Sequence, residues 1–337
     1  MRKATLAAAT AALLLTAGCG STTSTGKGSG GGSTGFVKKS PLKIGYSTYD
    51  LQNPYWQNYT AGIKAAAKAK GVQVIVADQK SSAQAQVSTS SDLINQGISG
   101  LIVSPVEPKA LPASVTAAHA AKIPIVVGDV GGAGKYDAFI VSDNIKGGGE
   151  AADFMATKLH AKGTGPKQIG IVTLHPGSAV GVDRVKGFKD RMAAKYPDIK
   201  IVSELNGNDN IKEGHDAVVN MLAGHPKLAG VYAANDNEAQ GAIAAYQESG
   251  RNPASAVIVG FDGNALSIKA VEKGTQAASV AQDPYGQGQL AVKLILELLD
   301  GKKINYNNPT TKTVLFPITL VTKNNVQQFS KARAGQS

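Results

Sequence analysis

Leu228-Ala229-Gly230-Val231-Tyr232-Ala233-Ala234-Asn235-Asp236 is the stretch on which the fold turns. Its apolar part is short and continuous, which predicts a strand over 228–233 buried on both faces, and a polar Asn-Asp pair stands where that strand ends. Helical periodicity follows over Glu238–Ser249, then a second apolar run, Ala256–Gly260, itself followed by Asp262. A buried strand, a helix and another buried strand make a parallel βαβ unit, because parallel neighbours need a long crossover.

The same alternation extends through the chain. Strand-like runs are Leu42–Ser47, Val72–Ala77, Gly100–Val103, Ile123–Val127, Ala138–Val141, Gln168–Thr173, Lys200–Leu205, Leu228–Ala233, Ala256–Gly260 and Ala277–Ala281. Helical periodicity fills most intervals, for example Tyr55–Lys70, Ala83–Gln96, Lys146–His160, Ala179–Lys195, Ile211–Ala223, Glu238–Ser249 and Gly286–Leu299. The pattern predicts an α/β protein of parallel sheets covered on both faces, in two blocks, the second starting near Asn144. Such sheets bind ligands beyond the C-terminal ends of their strands. Polar or aromatic clusters stand at those ends in both blocks: Asn53-Pro54-Tyr55-Trp56, Asp129, Asn235-Asp236, Asp262 and Gln282-Asp283-Pro284.

The 337 residues carry a net charge of +11 and a single cysteine, Cys19. One Cys gives no disulfide framework. The positive charge is distributed; Lys64, Lys68 and Lys70 read as a solvated helix face, and neither a helix-turn-helix nor a basic stripe with stacking aromatics points to nucleic acid. Arg2 and Lys3, the apolar run Leu6–Leu15 and the small Ala17-Gly18 before Cys19 predict a cleaved signal, too short to span a bilayer. The segment resembles a bacterial lipoprotein signal over residues 1–18, with Cys19 lipidated, although Thr16 stands where that pattern has Leu. Residues 19–40, rich in Gly, Ser and Thr, read as a flexible tether with a reach of about 25 Å for roughly 20 residues, and structure is expected to begin near Leu42.

The strand-end residues suit a polyhydroxylated ligand. Flat rings cover the C–H patches of a sugar, and carboxylates, amides and a guanidinium bond its hydroxyls. Tyr55 and Trp56 supply rings, Asp129 and Asp262 accept, Arg184 donates in a fork, and Asn53, Asn235 and Gln282 do both. Each residue also has a structural reading. Asn235-Asp236 opens a helix as an N-cap would, Tyr55-Trp56 could be core packing, the Asp of Gly260-Phe261-Asp262-Gly263 could bond its own turn, and Arg184 could sit on a helix surface.

Several stretches together resemble the type I periplasmic sugar-binding proteins of the ribose-binding family, over Leu42 to Val326. They are Asn53-Pro54-Tyr55-Trp56, Ser142-Asp143-Asn144 with Gly147-Gly148, Arg184 with Gly187-Phe188, Ala234-Asn235-Asp236, Val259-Gly260-Phe261-Asp262-Gly263 and Ala281-Gln282-Asp283-Pro284. The resemblance implies a two-lobed type I periplasmic binding fold, each lobe a parallel sheet flanked by helices, with a three-crossover hinge near Val141–Asn144, Ala281–Asp283 and Phe316–Pro317. It implies an N-terminal lobe of residues 41–143 plus 283–316 and a C-terminal lobe of 144–282 plus 317–330. It places ligand contacts at Asn53, Tyr55, Trp56, Asp129, Arg184, Asn235, Asp262 and Gln282. Three departures stand out. Val130 replaces an Arg, Asn208–Asn210 lack an aromatic, and Tyr55 and Trp56 replace two Phe.

The implied function is the substrate-binding lipoprotein of an ABC importer: an extracytoplasmic, lipid-anchored monomer delivering a monosaccharide or polyol to a membrane permease. It would use no metal, cofactor or nucleic acid. The alternative is a sugar-sensing co-receptor for a membrane signalling protein. No Gly-x-Ser-x-Gly, His-Glu-x-x-His or Gly-Lys-Ser/Thr motif points to an enzyme, and the five His are scattered. Arg184→Ala and Asp262→Ala are expected to abolish binding without disturbing the ligand-free fold.

Overall fold

The computed structural model describes residues 35–163 and 167–335. The signal segment, Cys19 and the tether as far as residue 34 lie outside the described residues.

One sheet is formed by β1 (Lys43–Thr48), β2 (Gln73–Asp78), β3 (Gly100–Val103), β4 (Ile125–Gly128), β5 (Ala138–Ser142) and β11 (Thr313–Phe316). Their spatial order is β11-β5-β4-β3-β1-β2, and every pairing is parallel. Helices α1 (Pro54–Ala69) and α9 (Pro284–Leu299) pack together against one face, and α2 (Ala83–Asn95) and α3 (Leu111–Ala120) cover the other. The second sheet takes β6 (Lys167–Thr173), β7 (Ile199–Asn206), β8 (Leu228–Ala233), β9 (Val257–Asp262), β10 (Ala278–Ala281) and β12 (Thr319–Thr322), in the order β12-β10-β9-β8-β6-β7. It lies between α4 (Asn144–Ala161) with α5 (Ala179–Lys195) and α6 (Ile211–Gly224) with α7 (Asp236–Glu248). Helices α8 (Ala265–Lys273) and α10 (Val326–Arg333) complete that lobe. Each sheet therefore has a core on both sides, which is why its central strands read as unbroken apolar runs.

Local chemistry sets the helix starts. Asn53, Ser82, Ser178, Asn210, Asn235, Asn264 and Asp283 cap α1, α2, α5, α6, α7, α8 and α9 through their side-chain oxygens, and Pro54 and Pro284 occupy first-turn positions that need no N–H. Helix α8 ends at Gly274, whose φ of +84° suits a residue without Cβ.

The chain moves between sheets at three places: β5 into α4, β10 into α9, and β11 into β12. The third produces the antiparallel strand pairing of the second sheet, since β12 runs antiparallel to β10. Only Pro317 and Ile318 separate β11 from β12. The chain has no length in which to turn, so it leaves the strand-end edge of one sheet and enters the same edge of the other. Residues 36–38 also differ from the expectation that structure begins near Leu42. Val37 N–H donates to Lys122 O at 2.8 Å, Phe36 packs on the first lobe's core, and Lys38 pairs with Asp300. The Phe36 ring finds apolar surface that Gly, Ser and Thr could not use.

Candidate functional site

The strand ends of the two sheets face each other across the crossings, and the strand-end residues meet there. In the first lobe, the Tyr55 hydroxyl donates to Asp129 Oδ1 at 2.7 Å. In the second, Arg184 Nη1 lies 3.0 Å from Asp262 Oδ1, its Nε donates to Asn144 Oδ1 at 2.9 Å, and Nη1 also donates to Ala234 O at 2.9 Å. The guanidinium stands 3.9 Å from the centroid of the Phe261 ring. Gln282 joins the two halves. Its Nε2 donates to Asp262 Oδ1 at 2.7 Å, its Oε1 accepts from Ser142 Oγ at 2.7 Å, and the Tyr55 hydroxyl lies 3.4 Å from that same oxygen. Gln287 Nε2 donates to Ser142 Oγ at 2.9 Å and reaches the Tyr55 oxygen at 3.3 Å.

Close helix crossings position these side chains. A Cβ on Gly148 of α4 would run into the Arg184 carbonyl oxygen, and one on Gly187 of α5 into that of Ile145. Only at that backbone distance does the Arg184 side chain reach both Asn144 and Asp262. The first lobe uses the same device, with Gly62 of α1 against the Tyr285 carbonyl and Gly288 of α9 against that of Tyr59. That contact brings Tyr55 and Gln287 together.

Both carboxylates sit on unusual backbone, Asp129 at φ +64° and Asp262 at φ +108°. Non-glycine residues at positive φ are uncommon and collect at functional sites, where the surrounding structure holds the strain. Asp129 N–H is fixed by Ile140 O at 2.7 Å. Around Asp262, the buried Asp236 takes Asn264 N–H on Oδ2 at 2.8 Å and Ser279 Oγ on Oδ1 at 2.8 Å, while Gly263 N–H donates to Ser279 Oγ. Asp236 thus shapes the turn that presents Asp262.

Electrostatics differ between the lobes. Burial pushes the Asp129 carboxyl up to about 6; the Tyr55 hydrogen bond and the more distant Arg184 act against that rise, and Asp262 adds to it. Burial also raises Asp262, with Arg184 the main opposing influence. Tyr55 is raised well above its ordinary value by burial and by Asp129, so its hydroxyl stays a donor. Asp236 is pushed by burial to about 7 and Glu238 to about 9. The Tyr232 hydroxyl, stacked through its ring on Phe188 at 4.1 Å, has no hydrogen-bond partner among the described residues. Tyr232 is fully buried in the second lobe's core, and its hydroxyl feels both Arg184 and Asp262.

Of the residues singled out from sequence, Tyr55, Asp129, Arg184, Asp262 and Gln282 form this connected set. Arg184 is 4 % exposed, so the alternative that it is an ordinary surface helix residue is overturned, and its burial gives Arg184→Ala a structural cost that the sequence expectation did not include. Asp262 bonds Gln282 and Arg184 rather than only its own turn. Asn53 and Asn235 both use Oδ1 to cap helices, accepting from Tyr55 N–H and Glu238 N–H at 2.9 Å. Asn53 is exposed at the rim, whereas Asn235 is buried beside Ala234, whose carbonyl Arg184 holds. Trp56 departs furthest from its expected place. It is 5 % exposed in the first lobe's core, stacked on Tyr49 at 5.4 Å and edge-on to Tyr55 at 4.8 Å. The indole supports the ring of Tyr55 from behind. Ser142, Gln287, Tyr232 and Asp236 were not among the contacts expected from sequence, although Ser142 and Asp236 lie in two of the quoted strand-end motifs. Gln287 stands one turn into α9, which is the only signal the sequence offered for it.

Known proteins match along almost the whole described chain. The family described as "Periplasmic binding protein domain" matches residues 44–303. The ribose import binding protein of Bacillus subtilis is 32% identical over 286 residues, 85% of this chain and 88% of that protein. The chain belongs to the periplasmic binding protein domain family. Solved members of similar shape include a carbohydrate transporter solute-binding protein from Agrobacterium radiobacter in complex with D-arabinose. It is 29% identical, with a TM-score of 0.74, over 86% of this chain and 97% of that one. An ABC transporter periplasmic solute-binding protein from Actinobacillus succinogenes 130z with bound D-allose is 25% identical, with a TM-score of 0.76, over 85% and 99%. Among the described residues, no group of three or more His, Cys, Asp or Glu side chains could hold a metal ion.

Proposed function

We propose that this protein is the extracytoplasmic binding component of an ABC importer, taking a monosaccharide or polyol between its lobes and handing it to a membrane permease. The observation that carries the reading is the pairing of Asp129–Tyr55 from one sheet with Asp262–Arg184 from the other, joined by Gln282. Two carboxylates facing each other across a crossing attract hydroxyl donors, and the Tyr55 ring offers a C–H surface. The named relatives that are binding proteins for ribose, D-allose and D-arabinose support a sugar of this class. Asn53, Tyr55, Asp129, Arg184, Asn235, Asp262 and Gln282 are the ligand contacts in this reading, with Trp56 moved behind Tyr55.

Ligand closure would bend the three crossings, between lobes of residues 41–143 plus 283–316 and 144–282 plus 317–330, and closed and open forms would present different surfaces to the permease. A lipid on Cys19, after removal of residues 1–18, would tether this monomer to the membrane. Metabolic labelling with a radioactive fatty acid tests that part, with label expected on the full chain and lost in Cys19→Ser. A thermal-shift screen over D-ribose, D-allose, D-arabinose, xylitol and myo-inositol tests the ligand class. One or more should raise the midpoint by mass action. A midpoint unmoved by all of them and by the other pentoses, hexoses and polyols would refute it.

A further inference from the structure

Gln282 has four polar groups, and all are engaged. Its N–H donates to Asp262 O at 3.1 Å, its Nε2 to Asp262 Oδ1, and its Oε1 accepts from Ser142 Oγ. The fourth, the backbone carbonyl, accepts from Arg333 Nη2, at the far end of the chain from every other site residue. Gln282 is almost fully buried, and its carbonyl belongs to the peptide that links β10 to α9 at the second crossing. A hinge movement that turned the backbone at Gln282 itself would carry its side-chain amide away from Asp262.

Arg333 is held where it can do this. It ends α10, and its guanidinium stands 4.3 Å from the centroid of the Phe329 ring. Phe329 packs on Val271, Ala281, Val321 and Val326, and its ring edge lies against Gly263, next to Asp262. The same stretch is tied to α8, where Gln327 Nε2 and Lys323 Nζ donate to the side chain and carbonyl of Glu272. Burial lowers the Arg333 guanidinium, and the Asp283 carboxylate and Tyr55 hydroxyl oppose that fall.

We propose that Arg333 is a positioning residue for the cleft: by holding the Gln282 carbonyl it locks the second crossing in the arrangement that aims Gln282 at Asp262 and Tyr55. Helix α10 is then a strap from the second lobe onto the hinge, with Phe329 its anchor and Arg333 its buckle. This inference rests on the sugar-binding reading for its effect on affinity, but not for its effect on the hinge.

Hydrogen exchange followed by mass spectrometry on the full ligand-free chain separates the two. In Arg333→Ala, amides of the segment 279–287 should exchange about tenfold faster, while those of Leu228–Ala233 stay as in the wild type. Phe329→Ala should loosen Val321 and Val326 as well, the signature of a structural anchor. Affinity for whichever of D-ribose, D-allose, D-arabinose or xylitol binds the wild type should fall about tenfold in Arg333→Ala and recover in part in Arg333→Lys, which keeps a donor. Unchanged exchange at 279–287 overturns the hinge lock. Faster exchange with unchanged affinity overturns the positioning role. If none of these sugars binds the wild type, the ligand reading fails while the exchange result still decides the hinge lock.

Discussion

The two lobes bring the same residue type to the cleft and treat it differently. In the second lobe, Asp262 faces a buried guanidinium that is itself fixed by Asn144, Ala234 and the Phe261 ring. In the first, Asp129 has a phenol for its nearest partner, and the residue that follows it, Val130, carries no charge. Burial raises both carboxyls, Asp129 to about 6, but Asp262 has a guanidinium beside it and Asp129 a neutral phenol. In the proposed sugar-binding reading, the second lobe is a preformed half-site and the first completes its hydrogen bonding when a hydroxyl donor arrives, which suits a trap that closes on its ligand.

The contrast is broken most severely at Arg184. Arg184→Ala leaves Asp262 without its counter-ion and removes the bonds to Asn144 and Ala234. Losing one partner of a buried pair costs about 3–5 kcal/mol. The ligand-free thermal midpoint should drop by several degrees and sugar binding should vanish. An unchanged midpoint would mean that the second lobe is not built around this pair. Asp129→Asn is the opposite case. It should weaken binding by about 2 kcal/mol, the loss of a charge-assisted bond to a ligand hydroxyl. Ligand-free stability at pH 7–8 should be kept or increased, because an ionised carboxylate that burial disfavours has been removed. Chemical denaturation of the two variants side by side checks the asymmetry.

A pH series sharpens the same difference. The folded Asp129 carboxyl is raised above its unfolded value, so between roughly pH 4 and 6 the folded state holds the extra proton and this group's contribution to stability falls as pH rises. Sugar affinity should move the other way. It should stay level above pH 7 and decline below about 6 as the acceptor is protonated, with the decline absent in Asp129→Asn. Denaturation midpoints and titrations from pH 5 to 8 measure both. The smallest effect belongs to Tyr55→Phe, which removes one hydrogen bond, about 1 kcal/mol of affinity, and shifts the Asp129 decline to higher pH. A pH profile identical to the wild type would show that Tyr55 does not tune Asp129.

Much of this was legible in the sequence because buried parallel strands read as unbroken apolar runs. Gly100–Val103 and Leu228–Ala233 have the bounds their composition suggests. The strands Thr313–Phe316 and Thr319–Thr322 were not, since each is short, mixes polar and apolar residues, and sits beside Pro317. The polar clusters at strand ends pointed to the cleft, yet sequence could not say which way a side chain turns. Trp56 and Tyr55 are neighbours on one helix, and only packing sends the indole into the core and the phenol to Asp129. Arg333 carried no signal, because its partner is a backbone carbonyl far away in the chain.

Isothermal titration of D-ribose, D-allose, D-arabinose, xylitol and myo-inositol into the wild type, Asp129→Asn and Asp262→Asn tests the central claim most directly. The two lobes should hold one ligand together: at least one of these compounds binds the wild type with micromolar affinity or tighter, and each single substitution weakens it by at least about tenfold. Binding that survives either substitution intact would contradict a ligand shared between Asp129 and Asp262.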